Sequence, residues 1–110
     1  PVESIFAEKL ETAIARSEQN SRMKDYHDLA VLIRENVANK KKLVTAIKET
    51  FANRGTKIQK LKIPDEQIAN IQKYWTIYLK SLDAPVQNSL ATDIQTVMDE
   101  INSYLVEIGI

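Results

Sequence analysis

Apolar residues recur along this chain at intervals of three and four, the spacing that lines them up along one face of an α-helix. Val2, Phe6, Leu10 and Ala13 share a face, with Ile5 and Ile14 at its edges, and predict a first helix from about Val2 to Arg16. Polar residues 17–21 interrupt the pattern. A second helix is predicted from Arg22 to about Val37, with Asn20 or Ser21 placed to cap it. Its stripe is Met23, Tyr26, Ala30, Ile33 and Val37, widened by Leu29 and Leu32, which makes this helix the one expected to be most buried. A third runs from about Lys41 to Asn53 with Leu43, Val44, Ile47 and Phe51 inward, and Gly55 is placed to end it in a left-handed cap. Residues 56–63 read as a basic connector with extended backbone.

Pro64 opens a fourth helix, where its missing N–H costs nothing. Ile68, Ile71, Trp75, Tyr78, Leu79 and Leu82 lie on one face of it, while Tyr74 lies off that face. A loop around Asp83–Ser89, containing Pro85, turns the chain into a fifth helix bearing Ile94, Val97, Met98, Ile101, Tyr104, Leu105 and Ile108. Matching stripes and a short link predict that helices four and five pair as an antiparallel hairpin. Only two glycines occur and no long stretch alternates at period two, so the fold class is all-α: a bundle of about five helices, one domain over residues 1–110.

Composition narrows the setting. Apolar residues make up 44% and charged residues 27%, which is globular and not disordered. The absence of cysteine excludes disulfides and thiolate metal sites, and makes a cytoplasmic home the expectation. The longest apolar run, Leu29 to Ile33, is too short to span a membrane, so no membrane partner is expected. The chain opens on Pro1 and not on Met, which suggests material upstream. The zero net charge hides a split. Residues 1–62 carry 13 Lys/Arg against 8 Asp/Glu, and residues 63–110 carry 2 against 7. The basic excess is densest over residues 40–62, with eight basic residues against Glu49 alone, a field able to meet phosphate or simply to solvate a helix face.

Two places break the apolar pattern. Lys9 falls between Ile5 and Ala13 within the stripe of helix one, where a lysine must snorkel outward or meet a negative partner. The head of helix two, Arg22-Met23-Lys24-Asp25-Tyr26-His27-Asp28, holds five ionisable residues in seven. Asp25 suits the first-turn helix dipole, but Asp28 lies a turn further in, beside Leu32.

The segments Glu3-Ser4-Ile5-Phe6-Ala7-Glu8-Lys9-Leu10-Glu11 and Asn20-Ser21-Arg22-Met23-Lys24-Asp25-Tyr26-His27-Asp28-Leu29 resemble the back half of the abortive-infection (AbiEii/AbiGii) nucleotidyltransferase toxins. Phe51-Ala52-Asn53-Arg54-Gly55-Thr56, Trp75 and the last amphipathic helix are similar to later parts of the same family. Lys9-Leu10-Glu11-Thr12 resembles its Lys-Leu-x-Ala motif with Thr12 in place of Ala, and Asp25, Asp28 and Leu29 resemble its Asp-x-x-Asp-apolar motif. The resemblance implies that Lys9, with Arg22 and Lys24, meets nucleotide phosphates, and that Asp25 and Asp28 are the catalytic carboxylates of the cleft. It implies NTP and Mg as cofactors of a larger parent enzyme, and a cognate antitoxin as partner. The family's glycine-rich turn and metal-binding Asp-x-Asp strand are missing, so no metal ligand is expected in this chain. The chain therefore reads as a C-terminal domain, inactive without an N-terminal nucleotidyltransferase domain. The basic stretch 40–62 is a candidate site for an RNA acceptor such as tRNA.

Two other readings stay open on sequence alone. Arg22 and His27 have the R-x4-H spacing of HEPN-type helical ribonucleases. The chain could equally be a stand-alone helical interaction module.

Overall fold

In a computed structural model, residues 1–16 and 22–110 are described, and among them there are six α-helices, one short 3-10 turn and no strand. The helices are α1 (Val2–Ala15), α2 (Met23–Glu35), α3 (Lys40–Arg54), α4 (Ile68–Lys80), α5 (Ala84–Asn88) and α6 (Ile94–Glu107), with the 3-10 turn at Asp65–Gln67 leading into α4. The all-α bundle is therefore as predicted. The proposed caps Asn20 and Ser21 lie outside the described residues.

α1 and α3 form the broadest helix–helix contact. Ala7 and Ala13 are fully buried on α1 and share one core with Leu43, Ile47 and Phe51 of α3. α3 is fixed at both ends as its sequence dictates. Asn39 accepts a hydrogen bond from the Lys42 N–H (3.0 Å), and Gly55 closes the helix at φ 68°. A Cβ at Gly55 would meet nothing within 4 Å, so it is the left-handed backbone, not crowding, that calls for glycine there.

α2 occupies the middle, touching α1, α4 and α6. Its first half is buried through Met23, Tyr26, Leu29 and Ala30, but Leu32 and Ile33 are only half-buried. Helices α1 and α6 each bury more residues than α2, contrary to expectation. Val37 also departs from the predicted stripe. Asn36 turns left-handed (φ 51°) and ends the helix, so Val37 lies beyond it and is 56% exposed.

The C-terminal helices do pack against one another, but the larger neighbour of α6 is α2, whose stripe must be covered on that side. Arg34 of α2 reaches α6 with a two-pronged bond to Glu100 (3.0 and 3.1 Å), and also donates to the Ser89 carbonyl. The link between α4 and α6 is not a plain loop. Residues 84–88 wind into α5, with Pro85 in its first turn, where proline is tolerated. Trp75 is fully buried and its Nε1–H donates to the Ala91 carbonyl (2.9 Å), while Gln72 binds the Ile94 N–H (2.8 Å) and the Thr92 carbonyl (3.0 Å). These bonds tie α4 to the entry of α6.

The connector 56–63 forms no helix or strand, and it is also part of the core. Leu61 and Ile63 are buried while Lys60 and Lys62 face solvent, an alternation of period two over four residues. Asn102 of α6 clamps Leu61 from both sides, accepting from its N–H and donating to its carbonyl, each at 2.9 Å. A backbone segment with no helical partner is satisfied this way inside the fold. No helix among the described residues is long and apolar enough to cross a membrane.

Candidate functional site

The charged residues singled out in the sequence converge where α1 crosses the head of α2. Lys9 is less central to the α1 stripe than its spacing suggested. The buried arc of α1 is Phe6, Ala7, Leu10, Ala13 and Ile14, and Lys9 stands on its flank with its side chain 26% exposed. From there Nζ reaches Asp28 Oδ2 at 2.8 Å and Asp25 Oδ1 at 3.8 Å. Asp28 is also held by Lys24 one turn before it, at 2.9 and 3.1 Å. Burial alone would push the Asp28 carboxyl up, but hydrogen bonds from Lys24 and Lys9 outweigh it and keep the group below the usual carboxylate range. The same contact raises the Lys24 ammonium above its ordinary value.

Asp25 is nearly inaccessible. Its Oδ2 is buried and takes no hydrogen bond among the described residues, with the Arg22 Nε as its nearest cation at 3.5 Å. A buried carboxylate oxygen left without a hydrogen bond is rare in folded proteins. Beside it opens a cavity of about 450 Å³ whose wall includes Glu8, Lys9, Arg16, Arg22, Asp25 and Arg54, with Ile5 and Thr12 between them. A groove of similar volume, about 460 Å³, runs between Pro1–Ser4 and α3, but the buried charges are not on it. Of the predicted set, Lys9, Arg22 and Asp25 line the charged cavity. Lys24 and Asp28 do not line it; Asp28 touches it only through its bond to Lys9.

A second buried carboxylate, Glu11, escaped the sequence reading. It accepts from Arg54 Nη1 (2.8 Å) and from the Thr56 hydroxyl (2.6 Å). The signal was available, since Glu11 sits between Ala7 and Ile14 on the buried arc. Burial would raise its carboxyl, but the hydrogen bonds from Thr56 and Arg54 and the charges of Arg54 and Arg16 bring it below the usual value. Glu11 and Asp28 therefore both stabilise the fold above the ordinary carboxylate pKa of about 4, and that contribution is lost as pH falls through their lowered folded-state values. The melting temperature is accordingly expected to drop between about pH 5 and pH 3, and Glu11→Gln, which costs about 1–2 kcal/mol at pH 7, should flatten the drop. Thermal melts followed by circular dichroism at a series of pH values check this.

His27 belongs to a different neighbourhood. Its Nδ1 is 2.6 Å from the Tyr78 hydroxyl of α4, and burial pushes its imidazole below the ordinary value, against the pull of Asp28. Arg22 faces the cavity wall on the α1 side. The R-x4-H pair thus serves two separate contacts.

Among the described residues no three His, Cys, Asp or Glu side chains come together in a way that could hold a metal ion. Asp25 and Asp28 are each paired with cations, so this donor set does not fit a magnesium centre.

With this geometry in view, residues 1–100 match the family model described as nucleotidyl transferase AbiEii toxin, type IV TA system. The chain belongs to that family of toxin–antitoxin nucleotidyltransferases, and membership implies an antitoxin as partner. No curated protein and no solved structure matches the chain.

Proposed function

We propose that this chain is the C-terminal helical domain of a larger toxin, working in the cytoplasm, that transfers a nucleotide from NTP to an acceptor. The observation that carries this reading is the convergence of Lys9 on Asp25 and Asp28 across the α1–α2 crossing, in a chain of the AbiEii family. Lys9 and Arg22 present positive charge to the nucleotide phosphates from the cavity wall. Lys24 serves mainly by holding Asp28, which in turn aims Lys9. Asp25, buried behind Lys9 and Arg22, holds those two cations toward the nucleotide.

Phosphoryl transfer rests on positioning and on neutralising charge, and magnesium in the parent protein would supply part of the latter. Its ligands are assigned to an N-terminal domain that closes over the Lys9 face, and this chain alone is inactive. The exposed lysines of the basic stretch, Lys40, Lys41, Lys42, Lys48, Lys57, Lys60 and Lys62, offer a surface for the phosphates of an RNA acceptor such as tRNA. The coding sequence upstream of the Pro1 codon tests the domain assignment. A frame that continues through a glycine-rich turn and an Asp-x-Asp strand is expected; a start codon directly before Pro1 overturns it.

A further inference from the structure

We infer that the charged cavity is a polyphosphate site in which Arg54 and Arg16 grip the terminal phosphates of the nucleotide, with Glu11 as the residue that positions Arg54. The inference rests on the nucleotidyltransferase reading for the identity of the ligand, but its geometry is independent of it. Four cations come to one cavity of about 450 Å³ from three places in the sequence: Lys9 and Arg16 from α1, Arg22 from the head of α2, and Arg54 from the last turn of α3. Among the described residues of the wall itself, Glu8 and Asp25 oppose them.

The arrangement has depth as well as charge. Glu11 and Asp25 are buried, at 6% and 2% exposure, while Arg54 and Arg22 have side chains 44% and 61% exposed. Each buried carboxylate thus stands behind an arginine that faces outward. A carboxylate behind a guanidinium fixes its plane, and a fixed guanidinium binds phosphate oxygens with less entropy to lose. A guanidinium has five N–H donors, and among the described residues only Nη1 of Arg54 is bonded to Glu11. Thr56 shares the restraint by holding the other oxygen of Glu11, and Gly55 makes the sharp exit from α3 that brings Thr56 back onto it. Arg16 closes α1 as its C-cap residue, and its charge acts on Glu11 as well.

A triphosphate tail fits this chemistry better than a surface contact does. It carries three to four negative charges within a span that several arginines can share. The phosphates of an RNA strand offer the same chemistry more sparsely, and the experiment separates the two. The probe is inorganic tripolyphosphate, titrated calorimetrically into the 110-residue chain at low ionic strength, beside a short single-stranded RNA. Wild type is expected to bind tripolyphosphate. Arg54→Ala should weaken that binding about tenfold, and Arg16→Ala, at the exposed C-cap of α1, about threefold. Lys73→Ala with Lys80→Ala, exposed on α4 and outside the cavity, should leave it unchanged.

Glu11→Gln gives the sharpest reading. Removing a negative charge beside the site would tighten anion binding if Glu11 acted only through its field. A positioning role predicts weaker binding, and no further loss when Glu11→Gln is added to Arg54→Ala. Circular dichroism confirms folding of each variant, and Arg16→Ala decides if Arg54→Ala is unfolded. The inference is overturned if tripolyphosphate does not bind, if folded Arg54→Ala binds it as wild type does, or if the Arg54 effect is seen with RNA and not with tripolyphosphate. Absence of nucleotide transfer by the unmodified parent protein, with tripolyphosphate binding and its Arg54 dependence intact, would instead count against the nucleotidyltransferase reading alone.

Discussion

Lys9→Ala in the whole protein is expected to lower nucleotide transfer about 100-fold or more while leaving the fold in place, because a preorganised charge aimed at developing phosphate charge is commonly worth that much. The structure explains why the two effects separate. Asp28 keeps Lys24 at 2.9 Å and Asp25 keeps Arg22 at 3.5 Å, so no bare carboxylate is left behind. The lysine is also partly exposed, which holds its own share of stability to about 1 kcal/mol or less. A melting temperature within several degrees of wild type together with loss of growth arrest in cells expressing the variant is the expected pair of results. A Lys9→Ala protein that is folded and still toxic would remove the role given to Lys9.

Trp75→Ala carries the largest expected effect on stability. The indole is fully buried, stacks on Tyr78 at 5.7 Å between ring centres, and donates its N–H to Ala91. Truncation removes about 3–5 kcal/mol, a large part of the 5–15 kcal/mol that typically holds a domain together. It also releases the bond that joins α4 to the entry of α6. Trp75→Phe keeps most of the ring volume but orphans the Ala91 carbonyl, for a loss of about 2 kcal/mol. Urea denaturation followed by far-ultraviolet circular dichroism measures both variants, and an Ala variant within 1 kcal/mol of wild type would contradict the packing described.

The long helices were legible because each repeats its apolar face over three turns or more, as α6 does from Ile94 to Leu105. α5 was not legible. Five residues cannot display a helical period, and Pro85 reads as a turn unless the first-turn geometry is known. Val37 failed for a local reason, since the left-handed turn at Asn36 ends α2 before the stripe reaches it. The buried half of the connector was masked by its lysines, although Leu61 and Ile63 alternate with them.

The site divides in the same way. Lys9, Asp25 and Asp28 could be singled out because each sits badly with its own helix, and the fold brings them to one crossing. Glu11 sits just as badly between Ala7 and Ile14 but was passed over. Arg16 and Arg54 give no such sign. Each is an ordinary residue at a helix end, where a basic side chain suits the dipole, and only the packing of α1 on α3 carries Arg54 to Glu11, 43 positions away.

The most direct measurement is transfer of label from [α-³²P]NTP, each of the four in turn, by the purified whole protein in the presence of RNA. The account predicts label on an acceptor with the whole protein, none with residues 1–110 alone, and loss of the signal in Lys9→Ala and Asp25→Asn. A folded whole protein that moves no label from any NTP, or one whose transfer is indifferent to Lys9 and Asp25, would contradict it.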